Sequence, residues 1–398
     1  MPARRRTPSS HAPLPARTLA RRARTGFRRF GRSWIGFVSA TAVWLVVTLP
    51  GCSKEEEKQP PDVVVLPTVY EEDRFFVVPE AENGEKVKFF TSTAGGLFIF
   101  ADAAERISPA TTKSDKPSGG KPTEGKSAEA NPAAPVETSK PVDEKAAKTP
   151  VSELPAPKFK PGAWIPAPLP TEGVIPQVPS ELRKQAGIAA EGVDGMLGDA
   201  WFAELVWTLD YPNRRLVLHG DGAYAVPEGA NTVPLHFKMS DEGKRLSNYM
   251  RIDIGVAGAK LAVLLDTGAT VIVTDEAVKS LDDGRPSVRA TSYVVASVFD
   301  SWRKEHPDWR VIESAAQPAA EPIIEVPKVE LGGEEIGPAW FVRTADDVYH
   351  DRISQVTDVQ VNGAVGGNLL RHFRVILDYP KRLAIFEKPA GSAKPRRP

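Results

Sequence analysis

One cysteine in 398 residues excludes a disulfide framework. The six histidines, His11, His219, His236, His306, His350 and His372, lack metal-ligand spacing, so neither a metal nor another cofactor is expected. No Gly-x-Ser-x-Gly elbow is present, which removes the support for serine hydrolysis by that route. Residues 1–33 hold ten arginines and no acidic residue; without them 41 basic residues face 51 acidic ones, a net charge of −10. An acidic body has no electrostatic basis for binding DNA or RNA, and no nucleic-acid partner is expected. Aromatic residues vanish between Ala101 and Lys158, where Lys, Pro, Ala, Thr, Glu and Ser dominate. Such a segment cannot bury enough apolar surface to offset the entropy of ordering, and a disordered insert is expected over 108–157.

Long apolar runs are scarce as well. The one that stands out, Trp34 to Pro50, is uncharged, follows the arginine-rich region and ends in Leu49-Pro50-Gly51-Cys52. This segment resembles the signal peptide and lipobox of a bacterial lipoprotein. The resemblance implies removal of residues 1–51, lipidation of Cys52 as the mature N-terminus and a tether over 52–70. It further implies a lipid anchor in the membrane of the bacterial cell envelope, with the body facing the periplasm or the outside. A single membrane-spanning anchor is the alternative reading of the same run. Ser53 beside the cysteine resembles outer-membrane sorting, and Arg28-Arg29 resembles a twin-arginine export signal.

The chain repeats itself. Residues 88–100 align without a gap to residues 262–274 at an offset of 174, with Asn83-Gly84 and Ala257-Gly258 both at the turn of an expected hairpin. At the same offset, Ala103 to Ile107 pairs with Ala277 to Leu281 as a short helical turn. A second block recurs at offset 168: Met196-Leu197-Gly198 with Ala364-Val365-Gly366, and Leu209-Asp210-Tyr211-Pro212 with Leu377-Asp378-Tyr379-Pro380. A period near 170 residues gives two lobes rather than a solenoid. Strand-rich halves between turn signals place the chain in the all-β class. The lobes are expected over 71–220 and 230–388, followed by a polar tail over 389–398. Asp210 and Asp378, each before a tyrosine, read as turn residues.

Chemistry is carried by Leu264-Leu265-Asp266-Thr267-Gly268-Ala269-Thr270, which puts a carboxylate where an apolar strand stops and a glycine lets the chain bend. Two such turns facing each other would bring two carboxylates close enough to share one proton and polarise a water. This stretch, with the later Gly198 and Gly366 motifs and the closing Phe373 to Tyr379, resembles the pepsin and retropepsin superfamily of aspartic peptidases. The resemblance implies an acid protease fold: two retropepsin-like β-barrel lobes related by pseudo-two-fold symmetry, with short helices. It implies catalytic roles for Asp266, Thr267 and Gly268, a peptide or protein ligand in an inter-lobe cleft, and threonines bonded across the two turns. The first half departs from the pattern, because Ser92-Thr93-Ala94 stands where Asp-Thr-Gly would be. A serine hydroxyl cannot hold the shared proton or take one from water at neutral pH. No flap hairpin is recognisable in the first half; in the second, Tyr293 to Phe299 could supply a strand in that interval.

Gly120-Lys121-Pro122-Thr123-Glu124-Gly125-Lys126-Ser127 matches a phosphate-loop pattern, but it lies inside the low-complexity insert with no strand or helix beside it. Three readings stay open. The first is a non-catalytic peptidase-like lipoprotein that binds peptide or acts as a scaffold, expected as a monomer. The second is an aspartic endopeptidase in which a homodimer brings a second Asp266, and the third is a structural envelope β-domain.

Overall fold

Val, Ile, Leu and aromatic residues between turn signals form strands almost throughout. The computed structural model describes residues 63–107, 153–155, 159–160, 174–184, 192–220 and 224–389. These contain 24 strands and five α-helices, the longest helix having ten residues. The chain is therefore all-β with short helices. The lipobox-like segment with Cys52, the phosphate-loop pattern at 120–127 and the tail beyond 389 lie outside the described residues. Among the described residues no helix is long and apolar enough to cross a membrane.

A six-stranded antiparallel sheet joins the two halves, in the order Val63–Val65, Arg215–His219, Val206–Asp210, Arg374–Asp378, Leu383–Glu387, Thr232–Pro234. At its centre Val206 pairs with Asp378, Thr208 with Ile376 and Asp210 with Arg374. Exchanging each residue for the one 168 positions away maps this set of pairs onto itself. A local two-fold axis thus passes through the Thr208–Ile376 pair. The hairpin on each side closes in the same way, Asn213 N–H donating to Asp210 Oδ1 at 3.2 Å and Lys381 N–H to Asp378 Oδ1 at 2.8 Å.

A seven-stranded sheet belongs to the first half and an eleven-stranded sheet to the second. Both are built around one crossing. The strand before each turn, Phe89–Thr91 or Ala259–Leu265, runs parallel to a short strand ending before a glycine, Gly195–Leu197 or Gly363–Val365. On the far side of that short strand lies an antiparallel neighbour, Phe98–Phe100 in the first half and Ser292–Val295 in the second. Neither sheet closes into a barrel among the described residues. Each ends instead in edge strands, Thr68–Glu71 and Glu153–Pro155 in the first and Val288–Ala290 and Glu334–Ile336 in the second.

Several sequence expectations change here. The offset of 174 holds up to the turns and fails after them. Phe98 pairs with Met196 as Tyr293 pairs with Ala364, so the structural counterpart of Phe98–Phe100 is Ser292–Val295 rather than Thr270–Val273. The helix after it, Ala101–Ile107, consequently matches Ala296–Glu305 and not Asp275–Leu281. Tyr293 to Phe299 is no flap: its strand stops at Val295, helix begins at Ala296, and the strand is interior to the sheet, between Ala339–Thr344 and Gly363–Val365. Part of the insert expected to be disordered is strand, Glu153–Pro155 pairing with Val174–Val178 at a sheet edge, where proline is tolerated. Ordered structure also begins before residue 71, because the β-branched run Val63–Val65 and the strand Thr68–Glu71 both find partners.

One hydrophobic core runs through both halves and under the shared sheet, with Trp201, Trp207, Phe75, Phe89, Phe202, Phe341, Phe373 and Tyr379 fully buried. Burying side chains of this size contributes roughly 1.5–3 kcal/mol each. Gly198 is required by close approach: a Cβ there would lie 2.0 Å from Gly95 O. Replacing Gly198 with alanine should lower stability by about 1–3 kcal/mol, read as a reduced midpoint in urea or guanidinium unfolding. An unchanged midpoint would contradict this packing.

Candidate functional site: the facing turns

The two turns begin alike. Ser92 N–H donates to Leu197 O at 3.1 Å and Asp266 N–H to Val365 O at 3.0 Å, so each is tied to the strand of its own glycine motif. Each then closes on itself, Gly95 N–H reaching Ser92 O at 3.3 Å and Ala269 N–H reaching Asp266 O at 3.2 Å. Between the turns the threonines exchange bonds. Thr93 N–H donates to Thr267 Oγ1 and Thr267 N–H to Thr93 Oγ1, both at 3.1 Å, while the Thr93 hydroxyl donates to Leu265 O at 2.8 Å. Thr93 and Thr267 are buried, so these bonds satisfy amides that water cannot reach.

Ser92 and Asp266 meet at the centre. The Ser92 hydroxyl donates to Asp266 Oδ1 at 2.9 Å, and Gly268 N–H donates to the same oxygen at 2.9 Å. On the opposite side Ala94 N–H donates to Ser92 Oγ at 3.3 Å, so serine takes the acceptor position that the carboxylate takes in the other turn. Gly268 permits this approach, because a Cβ on it would lie 2.4 Å from the Ser92 Cβ. Ala94, its counterpart, is fully buried and clusters with Tyr249, Leu264 and Ala364.

Burial pushes the Asp266 carboxyl above its ordinary range, against the opposing effect of hydrogen bonds from Gly268 N–H, the Ser92 hydroxyl and Ala269 N–H. Among the described residues the group facing Asp266 is a hydroxyl and not a second carboxylate, so no coupled carboxylate pair forms here. It offers one acid or base, one hydroxyl donor and a set of buried amides. Among the described residues no group of three or more His, Cys, Asp or Glu side chains is placed to hold a metal ion.

A further buried carboxylate bonded to the first turn carries no motif of its own. Asp199 follows Gly198 directly, with its N–H donating to Gly95 O at 2.9 Å, and burial pushes its carboxyl up to about 6. The available signal was its position: it stands where the second half has Gly367. Another feature without a sequence signal is the tip between Thr68–Glu71 and Arg74–Val77. Glu72 and Asp73 both adopt positive φ there, and Glu72 O accepts from Ala290 N–H of the second half at 3.1 Å.

A raised folded-state pKa means that the native state holds the Asp266 proton more tightly than the unfolded chain. The stability associated with this carboxyl is present below the unfolded value of about 3.9 and is lost as pH rises through the folded value. An Asp266→Asn variant carries no such loss. Its stability relative to wild type should therefore improve as pH is raised above the unfolded value of about 3.9 and level off once the folded carboxyl has ionised, measured by thermal unfolding. A difference independent of pH would contradict the burial of this charge.

No protein-family model matches the sequence, and no curated protein does. Among solved structures, an aspartic proteinase from Irpex lacteus is similar with a TM-score of 0.41 and 12% identity, covering 83% of this chain and 99% of its own. Conglutin gamma, a basic 7S globulin from lupine seeds, gives 0.38 and 11%, covering 82% and 95%. Likenesses at this level carry no functional conclusion, and what characterises the molecule is its own internal symmetry: two β-sheet halves about a local two-fold axis, with Ser92 facing Asp266 across it.

Proposed function

We propose that this chain is an aspartic-peptidase-like protein of the bacterial envelope that binds a peptide or protein segment where its two turns meet and does not hydrolyse it. The observation that supports the reading is the 2.9 Å bond from Ser92 Oγ to Asp266 Oδ1. Peptide hydrolysis by a carboxylate pair needs one ionised member to take a proton from water and one protonated member to polarise the scissile carbonyl. Here the second position is a hydroxyl that already donates to the carboxylate. It can stabilise that carboxylate, and it cannot replace the missing acid. The cross-bonded threonines keep the geometry of a paired site while its chemistry lacks one member. In this reading Cys52 carries the lipid that holds the body at the membrane, and the folded chain acts as a monomer.

A peptidase assay on an unfolded protein substrate tests the absence of catalysis. Wild type should show no cleavage at any pH. Ser92→Asp combined with Ala94→Gly should acquire acid-favoured cleavage at least about 100-fold above wild type, the scale of a restored acid–base partner. Wild-type cleavage that is abolished by Asp266→Asn would overturn the proposal. The anchor has its own test: labelling of bacteria with a fatty-acid analogue should mark the wild-type chain and leave a Cys52→Ala variant unmarked.

A further inference from the structure

Beside the tip formed by Glu72 and Asp73 lies a cavity of about 630 Å³, lined by Tyr70, Arg74, Arg214, Arg285 and Arg371 together with the acidic tip residues, Pro286 and Val288. Neither facing turn contributes to its lining. Four arginines reach it from four separate segments: the tip, the Tyr211-to-Arg214 turn of the shared sheet, the loop at Arg285 and the end of the helix Gly367–Leu370.

The three carboxylates of the cavity are already engaged. Glu71 pairs with Lys88 at 2.7 Å, and Glu72 accepts from Arg285 Nε at 2.9 Å. Asp73 accepts from Arg285 Nη2 at 2.8 Å, from Arg371 Nη1 at 3.4 Å and from the Tyr70 hydroxyl at 3.0 Å. Each guanidinium carries five N–H donors. In these contacts Arg285 uses two and Arg371 one. Arg214 is exposed and has no carboxylate within ion-pair distance among the described residues; its guanidinium lies 5.6 Å from the Tyr70 ring centroid.

We propose that this cavity is a binding site for a small oxyanion, a carboxylate or phosphoryl group gripped by the free N–H donors of Arg214, Arg371 and Arg285. Guanidinium forks match the oxygen spacing of both groups, and the volume is that of a small-molecule site rather than of a single ordered ion. The ligand bridges the shared sheet and the second half across the tip, so it ties together segments that are remote in sequence.

Calorimetric titration of the full chain with citrate and, separately, with inorganic phosphate tests the site. Binding of one or both is expected with Kd below about 1 mM at low ionic strength, weakening at least about tenfold in about 0.5 M NaCl. Binding of citrate alone identifies a carboxylate site and binding of phosphate alone a phosphoryl site. Arg214→Asn should weaken binding at least about tenfold without altering the thermal midpoint, since asparagine tolerates the positive φ of 57° at this position. Absence of heat with both anions at about 10 mM would overturn the proposal. So would affinity insensitive to salt, or unchanged in Arg214→Asn.

Discussion

The exchange of bonds between Thr93 and Thr267 is the constraint on which the centre of this molecule depends. Each backbone N–H is buried and finds its acceptor only on the other half, so neither turn satisfies its own amides alone. The same mutual dependence reappears in the shared sheet, where Val206–Asp210 and Arg374–Asp378 pair about the Thr208–Ile376 position. These two layers of reciprocal bonding fix the distance between Ser92 and Asp266. They do so without involving either side chain, which leaves those two positions free to differ.

The difference has an electrostatic meaning. Two buried carboxylates in this arrangement would repel unless one carried a proton. With Ser92 in place, Asp266 receives two donors on one oxygen and meets no like charge across the turn. The remaining cost is desolvation of a single carboxylate. The half that lacks the acid also has Ala94 in place of glycine, and the methyl joins an apolar cluster with Tyr249 and Leu264. Serine and alanine thus agree with one another in making the first turn less polar than the second.

Much of this was legible in the sequence because it rests on local patterns. The apolar run before Asp266, the Gly198 and Gly366 motifs and the Asp210 and Asp378 turns each declare themselves within a few residues. What lies between them depends on partners far away. Phe98–Phe100 has the length and composition of a generic strand, and only its pairing with Gly195–Leu197 reveals that it corresponds to Ser292–Val295. Tyr293 to Phe299 reads as one β-branched and aromatic run, yet the backbone turns helical at Ala296, where Ser297 N–H finds its acceptor on the distant Asp346. Leu154 sits in a stretch whose composition alone speaks against order, and its place in a strand follows from pairing with Ile175. The arginine-lined cavity had no signature because its four guanidinium groups come from segments as far apart as Arg74 and Arg371.

The tip at Glu72 and Asp73 adds a third tie between the halves, away from the turns and from the shared sheet. It is wedged under the second half, with the Asp73 carboxylate held by Arg285 and Arg371 and the Glu72 carbonyl held by Ala290. These contacts join segments more than 200 residues apart in the chain. The tip therefore clasps the two halves at this edge through side-chain and backbone contacts at once, so that loss of either carboxylate would leave the Glu72 carbonyl as the remaining fastening.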